Sequence, residues 1–167
     1  MSVILKKFIY CIGLVLLGFD HFRAVYLRHR INFMVSNGGG YISERCIVAY
    51  PSHVIIGHNS YINGGYIMAS KNANIIIGKN CLISYDVHIR TDMHLYSQKN
   101  VLINQQGKTE KDIIIEDDCW IGFGAQIMPG VTVGKGTVIG AGAVLTKNAD
   151  PYSVYVGVPA RKIKDRI

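Results

Sequence analysis

Aliphatic residues fall at Ile115, Ile121, Ile127, Val133, Ile139 and Leu145 in strict steps of six, and four residues after each stands Cys119, Ala125, Val131, Thr137, Ala143 or Ala149. Few folds accommodate such a pattern. A helical period of 3.6 would smear the anchor around the cylinder, and the alternation of a flat strand would not ask for a small residue at every sixth position. The chain must turn every six residues. Gly122, Gly134 and Gly140 directly follow an anchor, and Gly130, Gly136 and Gly142 sit three residues after one, where the backbone can bend without a side-chain clash. The pattern predicts an all-β triangular coil.

The same phase recurs at Ile77, Ile83 and Ile89, and less perfectly at Ile56 and Ile62 and at Ile42 and Val48. Between Ile89 and Ile115 it lapses. His94 to Asp112 is polar and rich in Gln, Asn and Lys, which reads as an excursion loop over about 94–112, and long loops in compact repeats tend to be functional. Three regions are expected: an amino-terminal apolar and basic helical segment over 1–34, the coil over 35–150, and a basic carboxy-terminal cap over 151–167.

Charge follows the same division. Residues 1–34 carry Lys6, Lys7, Arg23, Arg28 and Arg30 against Asp20, residues 35–150 balance to zero, and the last seventeen hold Arg161, Lys162, Lys164 and Arg166 against Asp165. A neutral body with two basic ends lacks the single broad patch of a nucleic-acid binder, so no nucleic-acid partner is expected. Cys11, Cys46, Cys81 and Cys119 lie far apart with no CxxC pair, which suggests neither a zinc knuckle nor a disulfide framework and fits a reducing compartment.

From Phe8 to Phe19 the chain is uncharged and mostly apolar, a helical length of ~18 Å against a hydrocarbon core of ~30 Å. It is too short to cross alone, and the following Asp20-His21-Phe22-Arg23 offers no signal-peptide cleavage site. Phe22, Val25, Tyr26, Ile31 and Phe33 among three arginines read as an amphipathic basic helix at an anionic membrane surface. Packing on the protein's own body or on another subunit, and a marginal span with Lys6 and Lys7 at the headgroups, are the alternatives. The expected location is cytoplasmic, at the inner face of the cytoplasmic membrane.

Two stretches carry a family likeness. Ile77-Gly78-Lys79-Asn80-Cys81-Leu82-Ile83 through Thr91-Asp92-Met93-His94 is one; the other is Cys119-Trp120-Ile121-Gly122, with Pro129-Gly130-Val131, Val138-Ile139-Gly140-Ala141-Gly142, Thr146-Lys147 and Gly157-Val158-Pro159-Ala160-Arg161 after it. They resemble the hexapeptide-repeat acyltransferases, most nearly the galactoside and maltose acetyltransferases and the polysaccharide O-acetyltransferases. The likeness covers everything after about Tyr41. It implies a left-handed parallel β-helix with three six-residue sides per coil, the hand coming from the family since crossover physics favours the other. It also implies a homotrimer, with acetyl-CoA as co-substrate and no metal required.

By the same resemblance His94 is the catalytic base. A sugar hydroxyl must lose its proton as it attacks a thioester, and imidazole, titrating near ~6.5, offers a neutral form to take it. Asp92, two residues before, points to the same side if the segment is extended and is a candidate to orient the imidazole, a role a backbone carbonyl fills equally well. The resemblance assigns Trp120, at the thioester end near His94, with Phe123, Ala141, Thr146, Lys147, Arg161 and Lys164, to the coenzyme, whose phosphates need cations and free backbone N–H groups. Lys164 stands where a relative has arginine and offers a point charge in place of a planar fork. Asn63, in Ile62-Asn63-Gly64-Gly65, resembles a substrate-binding asparagine, though turn formation by Asn-Gly explains it equally well.

The expected function is acetyl transfer to a sugar hydroxyl of a cell-envelope polysaccharide or its lipid-linked precursor. Serine acetyltransferase is the nearer rival, but no large helical amino-terminal domain is recognisable. A zinc-dependent carbonic anhydrase-like β-helix is the other. His53, His58, His88 and His94 do not follow that family's spacing, and the coenzyme-end residues would be left unexplained.

Overall fold

The computed structural model describes residues 15, 18–22, 26 and 36–167, so most of the 1–34 segment, and the readings made of it, lie outside the described residues. Those described before residue 36 are helical with exposed side chains, and among the described residues no helix is long and apolar enough to cross a membrane.

From residue 36 the chain winds as a parallel β-helix, three short strands to a coil. Strands β1 (Ser36–Gly38), β2 (Tyr41–Ile42) and β3 (Cys46–Ala49) form the first coil. The second holds β4 (Val54–Gly57), β5 (Tyr61–Ile62) and β6 (Gly65–Met68), and the third β7 (Ile75–Ile77), β8 (Leu82–Ile83) and β9 (Val87–Arg90). An arm of β10 (Asp92–His94) and β11 (Lys108–Glu110) then leaves the coil. Strands β12 (Ile113–Ile115), β13 (Trp120–Ile121) and β14 (Gln126–Ile127) make the fourth coil, and β15 (Thr132–Val133), β16 (Val138–Ile139) and β17 (Val144–Leu145) the fifth. A hairpin of β18 (Ser153–Val156) and β19 (Arg161–Asp165) ends the chain.

Equivalent strands stack into three faces: β1-β4-β7-β12-β15 on the first, β2-β5-β8-β13-β16-β18-β19 on the second, and β3-β6-β9-β14-β17 on the third. Register shows why the repeat has period six. Thr132 stacks on Ile114, eighteen residues earlier, so three six-residue sides close one coil. All six anchors from Ile115 to Leu145 and all six small residues that follow them by four are buried, as are Ile77, Ile83, Ile89, Ile56, Ile62 and Ile42. Val48 is only partly buried, at the open first coil. Each buried isoleucine contributes on the order of 2 kcal/mol relative to exposure, so a charge at any anchor should break the stack.

The two glycine sets do separate work. Gly130, Gly136 and Gly142 have φ of 81°, 70° and 67°, the left-handed bend that turns a corner. Gly122 instead lies against the next coil, where an added Cβ would sit 2.7 Å from the Ala141 nitrogen. Upstream the phase slips at Gly65, whose φ of 124° and 2.2 Å clearance to the Val87 carbonyl admit no side chain.

Candidate functional site

The arm leaves at the corner between the third and first faces, and Gln126 stacks on His88, thirty-eight residues earlier, because the intervening chain is spent there. Its root is pinned. Thr91, fully buried, donates from its backbone N–H to the Met68 carbonyl at 3.1 Å and from its hydroxyl to Ser70 Oγ at 2.8 Å. On the returning side Asn72 Nδ2 donates to Glu110 Oε2 at 2.5 Å, and the Asn74 N–H to Asp112 Oδ1 at 2.7 Å. The excursion expected over 94–112 therefore starts as an ordered antiparallel ribbon at Asp92, paired Asp92 with Glu110, Met93 with Thr109 and His94 with Lys108. At the tip, the Gln106 amide nitrogen donates to the Gln98 and Val101 carbonyls at 3.0 and 2.8 Å and closes the loop on itself.

Alternation along a strand and pairing across it put Asp92, His94, Lys108 and Glu110 on one side of the ribbon. His94 is exposed. Asp92 does stand on the same side as His94, but its hydrogen bond goes to Lys108: Nζ lies 2.8 Å from Oδ2, with Arg90 Nε 3.7 Å from Oδ1. The Lys108 hydrogen bond, with the charges of Lys108 and Arg90, holds the Asp92 carboxyl below the usual carboxylate range. Neither Lys108 nor Arg90 was singled out by sequence. The signal available was the alternation Lys108-Thr109-Glu110, strand-like and in the same basic-Thr-acidic order as Arg90-Thr91-Asp92.

Thr146 and Lys147 follow β17 at the corner from which, two coils below, the arm departs, and both are exposed. Between that corner and the next lies the third face, with a hollow of about 210 Å³ lined by His88, Arg90, Gln126, Ile127 and Met128. The His88 ring lies 5.6 Å from that of Tyr66, and burial, then the Arg90 charge, holds its imidazole below the ordinary histidine value.

Phe123 and Ala141 stack at the corner between second and third faces, where the Gly142 N–H donates to the Phe123 carbonyl at 2.8 Å. Asn63 belongs to that same corner two coils below Phe123, its N–H donating to the Ile83 carbonyl at 3.0 Å. Trp120 faces outward from the second face, half exposed, beside a hollow of about 220 Å³ that Leu82, Val138 and Arg166 also line. In a triangular coil the second face is opposite the corner that bears the arm. One chain therefore brings His94, Thr146 and Lys147 to one corner and Phe123, Ala141 and Asn63 to another, with Trp120 apart from His94.

The basic tail folds back as β19, antiparallel to β18, with Lys164 paired to Val154 and Arg161 to Val156. Its cations divide into two sets. Lys162 meets Asp165 at 2.8 Å and Asp150 at 3.5 Å, and Arg166 meets Asp118 at 2.9 Å. Among the described residues Arg161 and Lys164 meet no carboxylate, and both are exposed. Also among the described residues, no three His, Cys, Asp or Glu side chains gather in a group that could hold a metal ion.

Comparison with known proteins agrees with this geometry. The family model for bacterial transferase hexapeptide (six repeats) matches residues 112–147. The galactoside O-acetyltransferase of Escherichia coli is 34% identical over 118 residues, 70% of this chain and 56% of that protein. A galactoside acetyltransferase solved in complex with coenzyme A is 31% identical, with a TM-score of 0.71 over 81% of this chain and 67% of that one. A hexapeptide-repeat acetyltransferase from Vibrio cholerae gives 26% identity and a TM-score of 0.72 over 86% of this chain and 88% of that one. Coils of opposite hand could not superpose in this way, so the hand is shared with those structures. The chain spans about half the length of the curated relatives it matches.

Proposed function

This chain belongs to the hexapeptide-repeat acyltransferase family, and on that premise we propose that it transfers acetyl from acetyl-CoA to a sugar hydroxyl, with His94 as general base. The observation that carries this reading is the pinned arm, which holds an exposed imidazole at the corner where Thr146 and Lys147 also stand. The neutral ring accepts the hydroxyl proton as the oxygen attacks the thioester carbonyl. Collapse of the tetrahedral species expels the coenzyme thiolate, which recovers the proton from the imidazolium.

Lys147, Arg161 and Lys164 supply cations for the coenzyme phosphates, as the absence of carboxylate partners for Arg161 and Lys164 among the described residues supports. Phe123 and Ala141 contribute backbone at their corner, Trp120 an apolar wall, and Asn63 a contact to the acceptor. Because Trp120 faces away from the corner that bears His94, a second copy that sets its second face against the arm would complete the site, which suits a homotrimer.

The acceptor in this proposal is an envelope polysaccharide or its lipid-linked precursor, met at the inner face of the cytoplasmic membrane. Val15, Phe19, Phe22 and Tyr26 recur at helical spacing, all more than half exposed, in a segment whose sequence carries five basic residues. That stripe supports peripheral membrane contact. Mass spectrometry of the envelope polysaccharide from cells with and without the protein tests the reading: one added acetyl group per acceptor supports it, and identical masses refute it.

A further inference from the structure

The ribbon that bears His94 carries a charge arrangement the repeat does not require. Lys108 is the cross-strand partner of His94, and such partners have Cβ atoms about 4.5–5.5 Å apart. A lysine stem is long enough for its ammonium to reach the neighbouring ring. In the structure it turns instead along the ribbon to Asp92, at 2.8 Å, and the second oxygen of that carboxylate is 3.7 Å from Arg90. Glu110, beside Asp92, is bonded to Asn72, and Asp112, past Lys111 at the returning root, to Asn74. Among the described residues no hydrogen bond forms to the His94 imidazole.

We propose that Asp92 is a positioning residue for His94 that acts through Lys108: its carboxylate draws the ammonium off the imidazole and cancels its charge, leaving the ring open to the acceptor hydroxyl. The proposal rests on His94 being the base. A base must become imidazolium as it takes the proton, and an uncompensated ammonium across the strand disfavours that cation. Asp92 remains ionised through the neutral range, its carboxyl held low by Lys108 and then Arg90, so the compensation is present wherever the ring is neutral.

Three full-length variants test this: Asp92→Asn, Lys108→Gln and the double variant. The side chains lie on an exposed ribbon, and a thermal melt checks that each folds. The readout is the titration of the His94 ring by NMR beside the acid limb of kcat/KM. Asp92→Asn leaves Lys108 uncompensated and should move the ring midpoint to lower pH, by about half a unit from a charge at this range in a mostly aqueous setting. Lys108→Gln leaves Asp92 with only the more distant Arg90 as counter-charge and should move it to higher pH, by less. The double variant should return to the wild-type midpoint, and the acid limb should follow the ring in each case. A shift that persists in the double variant would mean that Asp92 acts on the ring directly and would overturn the proposal, as would the absence of any shift in either single variant. A ring that shifts while the acid limb stays fixed would remove His94 as the base, and the proposal with it.

Discussion

The Ser60 hydroxyl donates to the Gly78 carbonyl of the next coil at 2.6 Å and accepts from the Cys81 N–H at 2.8 Å. The relationship repeats up the core. Cys81 Sγ meets the Glu116 carbonyl at 3.1 Å, Cys119 Sγ the Gly134 carbonyl at 3.3 Å, and the Thr137 hydroxyl donates to the Asp150 carbonyl at 2.6 Å. From the second coil to the fifth, one small polar side chain per coil thus satisfies a corner carbonyl that the parallel ladder leaves over. Ser60→Ala should destabilise by about 1–3 kcal/mol, the usual effect of orphaning buried partners. Ser60→Cys should lose less, since cysteine already fills the next two positions of the column. Thermal unfolding checks this, and equal melting temperatures for wild type and Ser60→Ala would contradict it.

The anchor spacing made this core legible before any coordinates, because a six-residue period can be met only by a chain that turns at every repeat. The first coils were harder to read. Gly65 absorbs a phase slip through a positive φ, a backbone property with no period. At the site, His94 was legible from its likeness to a family motif, whereas Lys108 was not: it comes to His94 only by antiparallel pairing across a thirteen-residue loop. The distance of Trp120 from the arm was equally hidden, because faces and corners exist only once the coil is closed.

His88 should give stability a distinct pH dependence. Burial and Arg90 lower its proton affinity in the folded state, so below ~6.5 the unfolded chain binds more protons and stability falls as pH drops. The melting temperature should decline from pH 7 to 5.5, and His88→Gln should flatten part of that decline. An identical pH profile in the variant would show that His88 is not its source.

Coenzyme affinity should depend on Lys147 and on Arg161, which among the described residues meets no carboxylate. Lys147→Gln combined with Arg161→Gln should raise KM for acetyl-CoA several-fold while lowering kcat less, since charge-assisted phosphate contacts act in both ground and transition states. Salt should weaken wild-type binding more than that of the variant. Unchanged KM would reduce both residues to surface charges.

Membrane contact should reside in the exposed stripe before the coil. Liposome flotation of the full-length protein should show binding to anionic vesicles, weakened by salt without being abolished, because apolar burial and cation attraction add. Val15→Ser with Phe19→Ser and Phe22→Ser should release the protein while acetyl transfer to a soluble oligosaccharide persists. A wild-type protein that stays in solution on anionic lipid would assign the stripe to protein packing.

Acetyl transfer by wild type against His94→Asn and His94→Ala, with acetyl-CoA binding measured calorimetrically on each, tests most directly whether the arm carries the base. Turnover should fall by ~10²- to 10⁴-fold in both variants, the usual contribution of a general base, while coenzyme binding and the thermal melt stay at wild-type values. Retention of more than about a third of wild-type turnover in both variants would place the base elsewhere and contradict the assignment.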